Sequence, residues 1–277
     1  MTHPVAPFLA GLHIYPIKSC AGVALTRAHL DARGLTLDRR WMLVDPQGEA
    51  VTLRQCPALA RAQPALESGG LSVRAVGLPE LKLPLESDGP PLSVTLFGQP
   101  IAALACPEGD GWFSQLAGRP LRLVRQAPDS NRGLSGNFGG QALALQDGNP
   151  VHLIGRASVD ALAAQTGTAL PLARFRANLL IEGAPAWAED SWARVRLGGV
   201  TFTLYEPTQR CAIVNVPSGG EPGGREPLAT LARTRRTPLG VLFGWNLGHA
   251  AGGELSVGDP LEVLEVRPSP FAGEPSH

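Results

Sequence analysis

One cysteine in this chain directly follows an arginine just after an apolar alternation. Alternate residues from 200 to 204 are apolar, as in a half-buried strand, and Arg210-Cys211 comes shortly afterwards. Pro207 interrupts the strand pattern, so we expect a turn over residues 207–210 that leaves Cys211 at a strand end. An adjacent guanidinium favours the thiolate, the form of cysteine that acts as nucleophile or metal ligand. On this stretch alone, a small buried hydrophobe is the commoner role for such a cysteine.

A second set of chemically capable residues is mostly basic and lies at predicted turns. A phosphate site needs bidentate arginine, a lysine point charge, hydroxyl and amide donors, and turn N–H groups. Any one of these residues alone also fits a solvated surface position, but lysine is rare here, since Lys18 and Lys82 are the only two. The set comprises Lys18, Ser19, Arg39, Arg54, Arg176, Asn178 and Arg210.

Missing motifs argue against several other kinds of site. The chain has no G-x-S-x-G, no H-E-x-x-H, no P-loop and no G-x-G-x-x-G after a strand. Its six histidines are dispersed, so a histidine triad or a zinc site is not expected. Cys20, Cys56, Cys106 and Cys211 are isolated from one another, so we expect neither a C-x-x-C zinc site nor an iron–sulfur cluster in this chain.

Charge and hydropathy limit the partners and the location. The 277 residues have a formal net charge of +0 and a pI of about 7.0, so no basic field favours nucleic acid. The first ten residues lack the basic n-region of a signal peptide, and no apolar run reaches the ~20 residues that span a bilayer. We therefore expect a cytoplasmic protein with free thiols, no membrane span and no nucleic-acid partner.

The elements that must position these residues are predicted to be mostly short strands. The chain contains 33 Gly and 26 Pro with only 17% charged residues, a composition typical of many short elements joined by turns. Asp45–Gly48 and Gly198-Gly199 predict hairpins. The expected fold class is mainly β, of β-barrel type, with a few short helices.

The helices and the domain division follow from capping residues and composition. We expect helices capped by Asp110 and Ser158, ending before Gly118 and Gly167, and a third that begins at Pro227. The polar, glycine-rich stretch after residue 127 predicts a domain boundary. The expected division is residues 1–125, residues 126–267 and a loose tail over 268–277.

Several stretches together resemble the MOSC family, named for the C-terminal domain of molybdenum-cofactor sulfurase. Their joint pattern covers nearly the whole chain and is similar to the bacterial and mitochondrial amidoxime-reducing proteins. The stretches are L-H-I-Y-P-I-K-S-C-A-G over 12–22, D-R-R-W-M-L-V-D-P-Q-G-E-A-V-T-L-R-Q over 38–55, R-F-R-A-N over 174–178, R-C at 210–211, L-F-G over 242–244 and V-G-D over 257–259.

This resemblance implies a molybdenum cofactor, a molybdopterin with a terminal phosphate, bound between an N-terminal MOSC-associated β-barrel-like domain and a MOSC domain. It implies no role for pyridoxal phosphate. By matching positions, Cys211 supplies a thiolate to the metal, which prefers soft sulfur ligands. Lys18, Ser19 and Arg39 would hold the phosphate end, and Arg176, Asn178 and Arg210 would hold the pterin.

The resemblance also implies an activity, namely reduction of small N-hydroxylated or N-oxide compounds with electrons from a separate donor protein. One departure matters, because the family's T-T-V-D-P run after the cysteine is Val214-Asn215-Val216-Pro217 here. A non-catalytic carrier of the cofactor or of sulfur is therefore an alternative. A metal-free cysteine hydrolase is a second alternative, although the sequence offers no convincing histidine partner for Cys211.

Overall fold

The computed structural model describes residues 6–130, 132–133, 142–221 and 223–271. Within these residues the chain is built mainly from strands, with three α-helices and several 3₁₀ turns, so the predicted mainly β fold class is confirmed. None of the described helices has the length and apolarity needed to cross a bilayer.

The strands are short and follow one another closely along the chain. They are β1 (Phe8–Ile14), β2 (Val23–Leu25), β3 (Arg27–Asp31), β4 (Gly34–Leu35), β5 (Trp41–Val44), β6 (Ala50–Val51), β7 (Gln63–Glu67), β8 (Gly70–Arg74), β9 (Leu81–Pro84), β10 (Pro91–Leu96), β11 (Gln99–Ala105), β12 (Arg122–Gln126), β13 (Arg132–Gly133), β14 (Ala142–Leu143), β15 (Val151–Gly155), β16 (Leu179–Glu182), β17 (Trp192–Leu197), β18 (Val200–Gln209), β19 (Arg236–Thr237), β20 (Gly240–His249), β21 (Gly253–Ser256) and β22 (Leu261–Val266). The helices are α1 (Pro107–Ala117), α2 (Arg156–Thr166) and α3 (Leu228–Thr234).

The largest sheet joins the two ends of the chain. Its order is β2-β1-β16-β15-β20-β18-β17-β22, with β19 attached to β20. β1 pairs antiparallel with β16, whereas β15 and β16 are parallel and are connected by α2. The first strand therefore belongs to a sheet built mainly from the second half, and the turn after it is held against that half.

Two smaller sheets are built from the first half of the chain. One sheet has the order β10-β11-β12-β5-β6, and a smaller one has the order β7-β8-β9. Helix α1 packs on them through Trp112 and Phe113, which join a core that includes Trp41. Arg39 lies just before β5 and Arg54 follows β6, so this half of the chain positions two of the basic residues singled out from the sequence.

The path of β18 differs from the prediction at Pro207. The strand continues through this residue to Gln209, and its pairing with β20 shifts register between Leu204 and Glu206 and again between Pro207 and Gln209. The predicted turn over residues 207–210 was wrong, because bulges accommodate a proline without ending the strand. Cys211 nevertheless lies just after the strand end, as predicted, and begins a 3₁₀ turn over Ala212–Asn215.

Two helices begin earlier than the predicted caps. Helix α1 starts at Pro107, and Asp110 accepts a hydrogen bond from the Leu123 N–H at 2.7 Å instead of capping the helix. Helix α2 starts at Arg156, and the Ser158 hydroxyl donates to buried Glu189 at 2.8 Å. Both side chains therefore bond to residues distant in sequence and cap neither helix. The predicted helix ends at Gly118 and Gly167 are confirmed.

A buried ion pair fixes β20 to the end of α3. Asp190 accepts two hydrogen bonds from the Arg235 guanidinium, at 2.9 and 2.7 Å, and one from Trp245 Nε1 at 3.1 Å. We predict that Asp190→Ala destabilises the fold by about 3–5 kcal/mol, because it leaves Arg235 buried without a counter-charge. Urea unfolding would measure this change.

An exposed pair in the same half provides the control. Arg194 and Glu265 form an ion pair whose side chains are 45% and 53% exposed. Glu265→Ala should change the free energy of unfolding by less than about 1 kcal/mol. Equal losses in the two variants would contradict the prediction.

Candidate functional site

Both halves of the chain contribute to one cleft of ≈ 560 Å³. Every residue that the sequence singled out for cofactor binding lies in its wall, although these residues come from four separate stretches of the chain. They are Lys18, Ser19, Arg39, Arg176, Asn178, Arg210 and Cys211. Their convergence is a fact of the fold, and their roles remain predictions.

The cleft is strongly cationic although the chain has no net charge. Two carboxylates, Asp147 and Glu206, face a larger number of basic side chains. The basic set consists of Lys18, Arg39, Arg54, Arg174, Arg176 and Arg210. A concave site with this excess of positive charge attracts an anionic ligand.

Asp38, which lies behind the cleft wall, holds one of these arginines in place. Its carboxylate is fully buried and accepts hydrogen bonds from the Arg39 guanidinium at 2.6 and 2.7 Å. It also accepts from the Tyr15 N–H at 2.8 Å and from Asn178 Nδ2 at 3.2 Å. Asp38 thus links the end of β1, the Arg39 turn and the start of β16.

The ring of Tyr15 supports two guanidinium groups. Arg39 and Arg176 lie 4.3 and 4.4 Å from its centroid, and the Arg176 guanidinium donates to the Cys20 carbonyl at 2.5 Å. Burial, together with the neighbouring Arg39 charge, lowers the pKa of Arg176. Cation–π stacking therefore holds two like charges side by side, an arrangement that a bound anion would relieve.

Lys18 is buried at the end of the cleft beside Asp147. Its ammonium donates to the Leu145 carbonyl at 2.8 Å and to the Asp147 carboxylate. Burial lowers the pKa of Lys18, although Asp147 partly offsets this effect. Desolvation raises the pKa of Asp147, but Lys18, Arg54 and Arg39 outweigh it and hold that pKa at about 2.

The backbone at the cleft adopts a conformation that side chains disfavour. Six non-glycine residues of the described chain have a left-handed φ, and four of them line the cleft. These are Ser19, Arg39, Phe97 and Arg176, with φ of 72°, 50°, 53° and 53°. Such strain concentrates at functional sites, where the surrounding structure enforces it.

The sulfur of Cys211 contacts an arginine that was not assigned to this role from the sequence. Arg54 Nη2 lies 3.3 Å from Cys211 Sγ, and this contact raises the pKa of Arg54. Arg210, the sequence neighbour, instead donates a hydrogen bond to the Phe175 carbonyl at 2.9 Å. From the sequence, Arg54 could be recognised only as one of several basic residues at turns. Its contact with Cys211 joins residues 157 positions apart and has no local sequence signal.

Asn178 serves the fold more directly than the cleft. Its Nδ2 donates to the His13 carbonyl at 3.0 Å and to Asp38, so both amide hydrogens are engaged. Its Oδ1 accepts from the His152 N–H at 3.1 Å. Asn178 therefore joins β1 to β15 and offers a ligand little beyond the remaining lone pair of its oxygen.

Several polar atoms of the wall are buried without a hydrogen-bond partner among the described residues. They are His152 Nε2, Arg210 Nε, Gln146 Oε1 and Asn149 Oδ1. His152 was not predicted as a site residue, and burial lowers its pKa well below 6.5, so its ring is neutral. Buried polar atoms are costly when unpaired, so these four favour a polar ligand that completes their bonds.

A metal bound here would depend on a cofactor for most of its ligands. The described residues contain no group of three or more His, Cys, Asp or Glu side chains placed to hold a metal ion. Cys211 is the partly exposed cysteine, whereas Cys20, Cys56 and Cys106 are buried. The site thus offers one soft donor, a basic cradle and unsatisfied polar atoms, a combination that fits an anionic metal–dithiolene cofactor.

Comparison with known families gives two matches that follow each other along the chain. The MOSC N-terminal beta barrel domain matches residues 6–120, and the MOSC domain matches residues 140–262. The boundary predicted at residues 125–126 lies in the interval between them, and the exact division stays a prediction.

The chain is also similar to curated proteins over most of its length. It is 31% identical to mitochondrial amidoxime-reducing component 1 of Mus musculus, covering 92% of this chain and 82% of that protein. It is 31% identical to mitochondrial amidoxime reducing component 2 of Rattus norvegicus, covering 90% and 80%. It is 30% identical to molybdenum cofactor sulfurase of Danio rerio, of which it spans only 32%.

The cleft geometry predicts one fast-reacting thiol. Burial raises the pKa of Cys20 to about 12 and also raises that of Cys106, whereas Cys211 is partly exposed beside a guanidinium. We expect an aromatic disulfide reagent to label one thiol rapidly in the native protein and the other three only after unfolding. Cys211→Ala should remove the fast phase.

The contribution of Arg54 can be measured in the same assay. Arg54→Met should slow the fast phase roughly tenfold, because it removes one charged hydrogen bond to the sulfur. Arg194→Met removes an arginine whose side chain is exposed on β17, so it is the matched control and should leave the rate unchanged. A fast phase that survives in Cys211→Ala would show that another cysteine is the reactive one.

Proposed function

Because this chain belongs to the MOSC family, we propose that it binds the molybdenum cofactor in the cleft shared by its two halves. The observation that supports this proposal most directly is the coincidence of three features in one cavity. A partly exposed thiol, a cluster of cationic side chains and unpartnered buried polar atoms line the same space. An anionic, sulfur-rich and polar cofactor complements all three.

Lys18, Ser19 and Arg39 are suited to the phosphate end. The ammonium of Lys18 has three N–H donors and uses two of them on Leu145 and Asp147, which leaves one for a ligand. The Ser19 hydroxyl accepts from the Leu53 N–H at 3.2 Å, so its own proton is available to donate. Arg39 is oriented by Asp38 and Tyr15 and needs no rearrangement to bind.

Cys211 and Arg54 are suited to the metal end. The sulfur is a soft ligand, and the Arg54 guanidinium donates a hydrogen bond to it. Arg176 and Arg210 would contact the pterin from the second half. The cofactor supplies the two-electron chemistry when bound, and the chain binds, orients and shields it.

The activity that follows is reduction of small N-hydroxylated or N-oxide compounds. Supporting it are relatives named amidoxime-reducing components that share about 30% identity along most of their length. Electrons would come from a separate donor protein, since the four cysteines do not form a cluster-binding motif. Turnover of a hydroxylamine with an artificial reductant, by protein loaded in a cofactor-producing host, tests the activity.

A non-catalytic carrier is the second candidate, and the segment after Cys211 favours it. The family's aspartate position is occupied here by Pro217. Asn215 lies where the family has a threonine and is mostly buried, and its Oδ1 accepts from the Leu228 N–H at 3.0 Å. No acidic side chain therefore follows the thiol in this segment. Bound cofactor without turnover would select the carrier.

Lys18 provides a test of the phosphate end with a natural control. The chain has two lysines, and Lys82 is 72% exposed on β9. We predict that Lys18→Met weakens retention of molybdenum by about 1.5–3 kcal/mol, the cost of one charged hydrogen bond, whereas Lys82→Met does not. Metal analysis after gel filtration of protein from a cofactor-producing host measures the difference. Equal metal content in the two variants would contradict a role for Lys18.

The cysteine ligand is tested by comparing two serine variants. We predict that Cys211→Ser loses most or all of its molybdenum-dependent turnover. An oxygen ligand preserves the shape of the donor but not its softness. Pterin content should persist, since the basic residues remain. Cys20→Ser is the matched control, because Cys20 is the cysteine next to Lys18-Ser19 but is buried. Loss of turnover in Cys20→Ser, with retention in Cys211→Ser, would refute the assignment.

A further inference from the structure

Glu206 is a carboxylate that lines the cationic cleft, and no described residue forms an ion pair with it. Two carboxylates line the cleft, and Asp147 pairs with Lys18. In the described parts of the chain, Glu206 forms no ion pair. A charge that is not neutralised by the fold is available to a ligand.

A β-bulge places this carboxylate in the cleft. By simple alternation, residue 206 would follow Phe202 and Leu204 into the core of the large sheet. The register shift between Leu204 and Glu206 instead sets Glu206 opposite Asn246, which in turn pairs with His152. Glu206, Asn246 and His152 therefore lie in a row across three strands and all line the cleft.

Two amides hold the carboxylate in one orientation. Glu206 Oε1 accepts from Asn149 Nδ2 at 3.2 Å and from Asn246 Nδ2 at 3.3 Å. Thr208 Oγ1 donates to Asn246 Oδ1 at 2.9 Å, which sets the direction of that amide. No described residue donates to Oε2, and Asn149 Oδ1 nearby is a buried acceptor without a donor. The part of the cleft around Glu206 thus presents oriented hydrogen-bond acceptors, whereas the basic side chains in the rest of the cleft present donors.

A fixed carboxylate with free lone pairs is complementary to two adjacent N–H groups. The pyrimidinone ring of a pterin presents this pattern, because its N3–H and its 2-amino group lie side by side as in a guanidinium. Asn178, assigned to the pterin from the sequence, has both amide hydrogens engaged within the fold. Its Oδ1 already accepts from the His152 N–H, so Asn178 offers one remaining lone pair where the pterin edge needs two acceptor sites. A carboxylate can supply both.

We propose that Glu206 recognises the N–H edge of the pterin ring, accepting from its N3–H and its 2-amino group. This inference rests on the proposed cofactor and adds the contact that sets the orientation of the ring. Glu206 lies five residues before Cys211. An extended strand of that length spans about 16 Å at most, and the bulges shorten it. An elongated, rigid ligand can reach both the thiol and the carboxylate.

Two free ring compounds test the proposal without the metal. Pterin carries the 2-amino group, whereas lumazine has a carbonyl oxygen at the same position and would face the carboxylate with an acceptor. The full chain, purified from a host that cannot make the cofactor, should bind pterin more tightly than lumazine at a pH where both rings are neutral. Ring-fluorescence titration measures both dissociation constants.

Glu206→Gln should weaken pterin binding by on the order of tenfold and abolish the preference over lumazine, since an amide offers one acceptor in place of two. Glu265→Gln removes an exposed carboxylate on β22 and should leave both constants unchanged. Native thiol labelling verifies that each variant is folded. If Glu206→Gln still preferred pterin over lumazine as strongly as the unchanged protein, the proposal would be overturned. It would also be overturned if Asp147→Asn, and not Glu206→Gln, lost that preference.

The test separates this inference from the proposed function. Suppose that protein from a cofactor-producing host retains molybdenum, while protein from a cofactor-free host binds pterin and lumazine equally. That result would overturn the role of Glu206 and leave the proposed function intact. A Glu206-dependent preference for pterin in a chain that never acquires molybdenum would support the role of Glu206 while the proposed function fails.

Discussion

The buried carboxylate of Asp38 is the contact on which the arrangement of the cleft depends. A buried charge is tolerated only when it is paired and fully hydrogen-bonded. Asp38 meets this condition by accepting from the Tyr15 backbone, from Arg39 and from Asn178. Those donors come from the end of β1, from a turn of the first half and from the start of β16. Satisfying one carboxylate therefore fixes the two halves against each other and sets the position of the first arginine of the cleft.

The rest of the cleft contains features that are locally unfavourable, namely neighbouring like charges, buried guanidinium groups and a left-handed backbone. Arg176 lies beside Arg39 on the Tyr15 ring, and burial lowers the pKa of Arg210 to about 10. Ser19, Arg39 and Arg176 also adopt a left-handed backbone that side chains disfavour. Folds accept such conflicts at functional sites and compensate for them elsewhere, here through the packed sheets on either side. Neutralising the gathered positive charge with an anion would remove the largest of these conflicts.

The sequence predicted the local features well and the long-range ones only partly. Gly118 and Gly167 end their helices as predicted, because a left-handed cap is a local property. Lys18, Ser19, Arg39, Arg176, Arg210 and Cys211 could be grouped by residue type and by the family resemblance, and they do meet in one cleft. Asp38 and Arg54 were missed in their roles, since their partners lie far away in sequence. Glu206 was missed because alternation places it in the core, and a bulge cannot be inferred from alternation alone.

The contacts of Cys211 argue against a metal-free cysteine hydrolase, the second alternative drawn from the sequence. Such an enzyme needs a base within hydrogen-bond reach of the sulfur to activate it. The partner of Sγ is the Arg54 guanidinium, which has no lone pair to accept a proton. The histidine in the cleft, His152, has a ring made neutral by burial, and no hydrogen bond joins it to Cys211 within the described residues. Arg54 donates to the sulfur but cannot shuttle protons for it, so this contact supports the proposed ligand role of Cys211 over that of an acyl-transfer nucleophile.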